Sequence, residues 1–313
     1  MAFRPTATRD TLLARAQLIA RIRRFFADRE VLEVQTPVLS RHAIPTPQID
    51  SFAVSDPPRF LRTSPELAHK RLLASGSGDI YELGPVFRRG EQGVQHNSEF
   101  TLLEWYRLGL SEHQLMDEVA ALLGALLDSL NAPPQRLSYA QAVSGFAQVD
   151  VFAISQTDLA AAVARHMPLP ETELTRDDLL DLLFCVAVAP SFPAHQITFV
   201  YDYPATQAVL AAINPDDARV ARRFEAYVGA LELANGFYEL RDAGEQRARF
   251  ASDNATRQRL GKPTCTLDEA FLSALEFGLP ECAGVAVGVD RLVMLATDTA
   301  HIRETIAFDF DHA

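Results

Sequence analysis

The stretch Phe87–Tyr106, FRRGEQGVQHNSEFTLLEWY, decides the fold. Its left flank, DIYELGPVFR (79–88), has the apolar pattern of a strand, and so does EFTLLEWYRLG (99–109). The polar run between them makes the segment a strand, a loop and a strand. Arg88 closes the first strand and faces a loop carrying Glu91, His96 and Asn97. The second strand carries Phe100, Glu104 and Tyr106. Arg and His donors beside an aromatic ring suit a nucleotide, with the cations on phosphates and the ring on the base. A solvated hairpin with ordinary surface charges explains the same residues, and the hairpin alone does not decide.

On the N-terminal side, Asp10 is the expected cap of a helix running to about Asp28, with Leu12, Ala16, Ile19, Ile22 and Phe26 on one face. VLEVQTPVL (31–39) then reads as a strand interrupted by Pro37. TSPEL (63–67) reads as a helix start, with Ser64 as cap, Pro65 at the first position and Glu66 in the first turn. On the C-terminal side, Ser111 and Gln114 fit a capping box. They open an amphipathic helix through Leu115, Val119, Leu122, Leu126 and Leu130, ended by Pro133 and Pro134. Residues from about 155 to 190 look helical. ITFVYDYP (197–204) is a strand, and RFEAYVGALELANGFYEL (223–240) is two strands around Gly229. A charged helix (244–260) follows, then the strand AGVAVGV (283–289) and a helix capped by Asp290. Runs of strands flanked by helices indicate an α+β fold, not a doubly wound sheet.

Glu225, Glu232 and Glu239 recur every seven residues, and Glu232 lies in an otherwise apolar stretch. A buried, unpaired carboxylate is costly, so such groups meet a cation: a divalent metal or a substrate ammonium. An edge strand with its acids in water is the alternative. The glycines of GVAVGVDR (284–291) let something pack closely on the strand, or simply serve strand packing.

The 313 residues are 48% hydrophobic and 22% charged, an ordinary globular balance. A net charge of −12 argues against a broad nucleic-acid surface. The one basic run, RIRR (21–24), falls on the first helix and is expected to solvate its outer face. No apolar run approaches the ~18 residues of a membrane span, and the N-terminus lacks a leader pattern. Cys185, Cys265 and Cys282 are scattered and lack metal-ligand spacing, which points to the cytoplasm and no zinc. Lys70 and Lys262 are the only lysines.

In this order the segments resemble the three signature motifs of class II aminoacyl-tRNA synthetases. VLEVQTPVL resembles motif 1 with its proline at Pro37, FRRGEQGVQHNSEFTLLEWY motif 2, and GVAVGVDRL motif 3. ELANGFYEL, TSPEL and HNSEFTLLEWY narrow the resemblance to the lysyl-tRNA synthetase group. About ten residues precede the first helix, so the N-terminal anticodon-binding OB-fold of those enzymes is expected to be absent. A core without it resembles the elongation factor P–(R)-β-lysine ligase family, to which IRRFFADREVLEVQTP and GVAVGVDRLVML are very similar.

That resemblance implies one catalytic domain over 1–313, an antiparallel sheet flanked by helices, a helical insertion at about 111–190, and a homodimer through motif 1. It implies ATP and Mg2+ as cofactors, (R)-β-lysine as substrate and elongation factor P as acceptor, with no tRNA and no membrane. Arg88 would hold the α-phosphate and the substrate carboxylate, with Arg89 and Gly90 beside it. His96 and Asn97 would reach phosphates or adenine, and Phe100 would stack under adenine. Arg291 would cover the other adenine face and touch the γ-phosphate. Leu233 and Gly288 would complete the ATP site, and Glu225 and Glu232 would bind magnesium. Ser64, Pro65, Glu66, Glu104, Tyr106, Asn235, Glu239 and Ala286 would form the amino-acid pocket, Glu66 and Glu239 taking ammonium groups.

Four positions depart from the lysyl-tRNA synthetase pattern: Gly90 stands for an acid, Ser98 for proline, Val94 for a basic residue, and Glu30 for the frequent glycine of motif 1. Ala286 stands where those synthetases have glycine and the β-lysine ligases have alanine. One methyl discriminates by ~1–3 kcal/mol, which favours β-lysine. The alternatives are a truncated synthetase using L-lysine and a non-catalytic regulatory subunit. The presence of Arg88, Arg291, Glu225 and Glu232 argues against the latter.

Overall fold

In the computed structural model, the described residues are 3–171 and 173–313. Met1 and Ala2 of the N-terminal stretch, and Thr172 within the 111–190 region, lie outside them. The strands are β1 (Leu32–Glu33), β2 (Leu39–Ser40), β3 (Ala53–Ser55), β4 (Pro58–Leu61), β5 (Ile80–Phe87), β6 (Glu99–Leu108), β7 (Gln135–Ser138), β8 (Ile197–Pro204), β9 (Val220–Val228), β10 (Leu231–Tyr238) and β11 (Cys282–Gly288). The helices are α1 (Arg9–Ala27), α2 (Glu66–Ala74), α3 (Glu112–Leu126), α4 (Tyr139–Ala147), α5 (Gln156–Ala164), α6 (Arg176–Leu183), α7 (Ala243–Arg259), α8 (Glu269–Gly278) and α9 (Val289–Thr297).

Eight strands form one sheet in the order β1-β5-β6-β11-β10-β9-β8-β7, and β2, β4 and β3 form a small second sheet. The six central strands are antiparallel, as expected. The two edge strands are not: β1 runs parallel to β5, and β7 parallel to β8. Long crossovers produce this, through α2 on one side and α4 to α6 on the other. The 111–190 region therefore contributes an edge strand as well as its helices. Helices α4 to α6 build an apolar cluster with Val200, Tyr203 and Tyr227 of β8 and β9.

Alternation along β11 positions the site. Ala283, Val285 and Val287 face the main core, where Trp105, Phe26 and Tyr81 pack with residues of α1, α3 and α9. Gly284, Ala286 and Gly288 face the opposite way. Strand register then lays one row across that second face: Glu82, Glu104, Ala286, Asn235, Glu225. Three glutamates in one row of a half-covered sheet demand cations, and much of the site follows from that demand.

Local signals needed several corrections. Thr8, with extended backbone, caps α1 by accepting from Thr11 N; Asp10 sits in the first turn. The buried stripe of α1 is Leu18, Ile22, Phe25 and Phe26, and Ala16 is exposed. The Ser111–Gln114 capping box is present, but α3 ends at Leu126, ahead of the prolines, where the chain straightens towards β7. Asp290 does not cap α9, whose cap position is Gly288. Instead it ion-pairs with Arg15 and accepts from Thr101 N at 2.8 Å, pinning α9 to α1 and β6. Glu30, at the motif 1 glycine position, adopts φ +56°, the left-handed conformation that glycine tolerates best. Among the described residues, no helix is long and apolar enough to cross a membrane.

Candidate active site

A cavity of about 290 Å³ opens on the face carrying the glutamate row. The start of α2, the β5–β6 loop, β6, β10, β11 and the first turn of α9 line it. It has an open cationic end and a closed anionic end.

At the open end, the Arg88 guanidinium lies 5.1 Å from the Phe100 ring centroid, a cation–π distance, and 3.7 Å from Glu91 Oε1. Arg291 donates to the Glu232 carbonyl at 2.7 Å and to His96 Nε2 at 2.8 Å. His96 must therefore be neutral at Nε2; burial, followed by the nearby Arg291 charge, lowers its pKa. The loop tip is a tight turn with Gly93 N donating to His96 O at 3.0 Å, and Ile302 N holds it through Val94 O at 2.8 Å. Gly90 has φ +85°, so a turn requiring glycine occupies the position of the family's acid. Asn97 lines the cavity, but its amide fixes the loop: Nδ2 donates to Glu99 O at 2.7 Å, and Oδ1 accepts from Phe310 N at 3.1 Å. Ser98 Oγ donates to Glu91 O at 3.3 Å.

The closed end is deeply buried. Glu104 accepts from Ser64 Oγ at 2.7 Å and from the Tyr106 hydroxyl at 2.9 Å. Ser64 Oγ also accepts from Glu66 N at 2.9 Å, while Pro65 takes the cap position. Behind Glu104, His69 puts Nδ1 at 3.5 Å from it and Nε2 at 3.0 Å from Glu82. Burial disfavours the imidazolium, but the neighbouring Glu104 and Glu82 carboxylates outweigh it and raise the His69 pKa. Glu82 is in turn paired with Arg62 at 2.7 Å. Glu66 and Glu239, expected to face substrate ammonium groups, both contact the buried Lys70, at 2.7 and 2.6 Å. Gly284 is obligatory here: a Cβ would lie 2.3 Å from the Tyr106 ring and 2.6 Å from Glu239 Oε1.

Of the residues singled out from sequence, Arg88, His96, Asn97, Phe100, Glu232, Leu233, Gly288 and Arg291 line the open part of the cavity. Ser64, Glu66, Glu104, Tyr106, Asn235, Glu239 and Ala286 line the rest. Arg89, Gly90, Pro65 and Glu225 do not line it. Arg89 is exposed, and its N–H donates to Asp50 O at 2.7 Å. Glu225 is held by the Tyr203 hydroxyl at 2.6 Å and by Tyr227 and Arg223. Burial and then the Glu225 charge push the Glu232 carboxyl up to about 7. A divalent cation beside Glu232 would relieve that repulsion, so this pair suits Mg2+ bound mostly through phosphates, with Glu225 as its electrostatic support. No cluster of three or more His, Cys, Asp or Glu among the described residues could hold a metal by itself.

Lys70, His69, Arg223 and Phe237 were not anticipated. Only Lys70 left a readable signal, the Glu66–Lys70 spacing of four on a helix.

The chain matches the family model for tRNA synthetases class II (D, K and N) over residues 1–311. It is similar to curated proteins named elongation factor P–(R)-beta-lysine ligase. The one from Haemophilus influenzae (strain PittGG) is 44% identical, covering 99% of this chain and 98% of its own. Those from Vibrio parahaemolyticus and Vibrio cholerae are each 46% identical, covering 98% and 99% of this chain and 98% of their own. The chain therefore belongs to the class II tRNA synthetase family and, within it, to the elongation factor P–(R)-β-lysine ligases.

Proposed function

We propose that this enzyme activates (R)-β-lysine with ATP and transfers it to a lysine side chain of elongation factor P. One observation carries the substrate class: three buried carboxyl groups, Glu66, Glu104 and Glu239, face the cavity, with Lys70 and His69 the cations behind them. Three acceptors converging on one closed end suit a ligand with two ammonium groups.

In the first step the substrate carboxylate oxygen attacks the α-phosphorus of ATP. The bond to the bridging oxygen breaks, pyrophosphate leaves, and an aminoacyl-adenylate remains. Arg88, oriented by Phe100, meets the α-phosphate and the carboxylate, and Arg291 meets the outer phosphates. Their contribution is alignment and charge stabilisation, with no covalent enzyme intermediate. Mg2+ held at Glu232, with the Glu225 charge behind it, would supply further neutralisation of phosphate charge. In the second step the acceptor amine attacks the adenylate carbonyl, an amide forms, AMP leaves, and the amine proton is released. We further propose a homodimer through the motif 1 segment, where Leu32 and Leu39 are exposed, a single catalytic domain, and no use of tRNA.

The test is to incubate enzyme, ATP, Mg2+, (R)-β-lysine and elongation factor P. One lysyl increment on the acceptor, with AMP and pyrophosphate formed in equal amounts, is expected. ADP as product, or an unmodified acceptor, contradicts the reading.

A further inference from the structure

The amino-acid pocket contains a cation of its own. Lys70 is wholly buried, and its Nζ sits between Glu66 Oε1 and Glu239 Oε2 at 2.7 and 2.6 Å. Each carboxylate thus turns one oxygen to Lys70 and keeps another. Glu239 Oε1 is buried without a hydrogen-bond partner and lies against the Gly284 floor of the cavity. The residue type matters. Of 29 basic residues only two are lysines, and one of them is here. A compact ammonium fits between two carboxylates in a closed site where a planar guanidinium needs more room.

We propose that Lys70 is a positioning residue for amino-acid recognition. It sits between Glu66 and Glu239 and aims them, so that their remaining oxygens accept the ammonium groups of the incoming diammonium substrate. This rests on the substrate reading above. Burial raises both carboxyls, and the Lys70 charge is the strongest influence opposing that rise; with Lys70 in place Glu239 is still pushed up to about 8. Without Lys70 both would hold their protons more tightly still. A protonated carboxyl offers a hydroxyl donor where an ammonium needs an acceptor. The other titratable groups facing this pair are His69 on α2, Glu82, Glu104 and Tyr106 on β5 and β6, and the Cys282 thiol on β11. From α8 the packed residues are the apolar Phe271, Leu272 and Leu275.

Two measurements test this. In Lys70→Met, the KM for (R)-β-lysine in ATP–pyrophosphate exchange should rise ~100-fold while the KM for ATP moves less than ~3-fold. The rise of its kcat/KM for β-lysine with pH should also be displaced to higher pH than in the unaltered enzyme, as the carboxyls ionise later. Both KM values rising together with coincident pH profiles would make Lys70 a packing residue and overturn the proposal, as would an unchanged KM. Where Lys70→Met does not fold, the unaltered enzyme decides. Lysine labelled with 13C at Cε gives two resonances, separated by the Lys262→Arg variant. Adding β-lysine should shift the Lys70 signal and leave that of Lys262 in place; a Lys70 signal indifferent to β-lysine in an exchange-active enzyme overturns the proposal. Absence of any exchange in the unaltered enzyme defeats the substrate reading itself.

Discussion

At one end of the cavity the side chains of Arg88 and Arg291 are 28% and 19% exposed, and their contacts leave donors free. At the other end those of Glu104, Glu239 and Lys70 are at most 4% exposed, and each is held by neighbours from another element. The two ends solve different problems. A triphosphate brings several charges that water also solvates, so partly exposed arginines with free donors suffice to align it. Two ammonium groups on a short chain must be told from one, and that needs acceptors already desolvated and fixed. Discrimination therefore belongs to the closed end and acceleration to the open end.

The largest effect should come from the open end. Arg88→Ala removes the donor that meets the reacting phosphorus, and kcat for pyrophosphate exchange should fall on the order of 10³-fold with the fold intact by circular dichroism. A loss confined to KM would contradict the division of labour. At the closed end, Glu104→Gln keeps the shape but not the charge. The KM for β-lysine should rise ~10- to 100-fold, with kcat nearly unchanged. Gly284→Ala forces a methyl against Tyr106 and Glu239; a loss of ~1–3 kcal/mol in denaturant unfolding, with a raised amino-acid KM, is expected. Ala286→Gly should narrow the preference for β-lysine over L-lysine by about tenfold, within the ~1–3 kcal/mol that one methyl supplies. The smallest effect concerns Glu232, whose carboxyl burial and the Glu225 charge push up in the metal-free enzyme. Its proton competes with Mg2+, so the Mg2+ needed for half-maximal rate should fall as pH rises, and Glu232→Gln should raise that requirement and flatten its pH dependence.

The two ends also differed in legibility. The open end is local: Arg88, His96 and Phe100 lie within one hairpin whose alternation reads directly from Phe87–Tyr106. The closed end is assembled from α2, β6, β10 and β11, so its wiring depends on strand register. Glu225 and Glu232 share a spacing of seven, but that spacing is silent about Tyr203 and Arg223, which occupy Glu225 in the fold. Lys70 reads from sequence as half of a surface i,i+4 pair; it is buried because α8 covers α2, a tertiary fact. The cap of α1 was misplaced for a similar reason. Thr8 and Asp10 are both competent caps, and the extended backbone at Thr8 chooses between them. The edge strand β7 and the parallel pairing of both edges escaped notice because two to four residues carry little pattern of their own.

The most direct measurement is ATP–pyrophosphate exchange with purified enzyme and Mg2+, offering (R)-β-lysine, L-lysine, a monoammonium analogue lacking the side-chain amine, or no amino acid. Exchange fastest with β-lysine, slower with L-lysine and near background with the analogue is predicted. Equal exchange with the monoammonium analogue would contradict the recognition of two ammonium groups by the buried carboxylates, and no exchange with any of them would contradict adenylation itself.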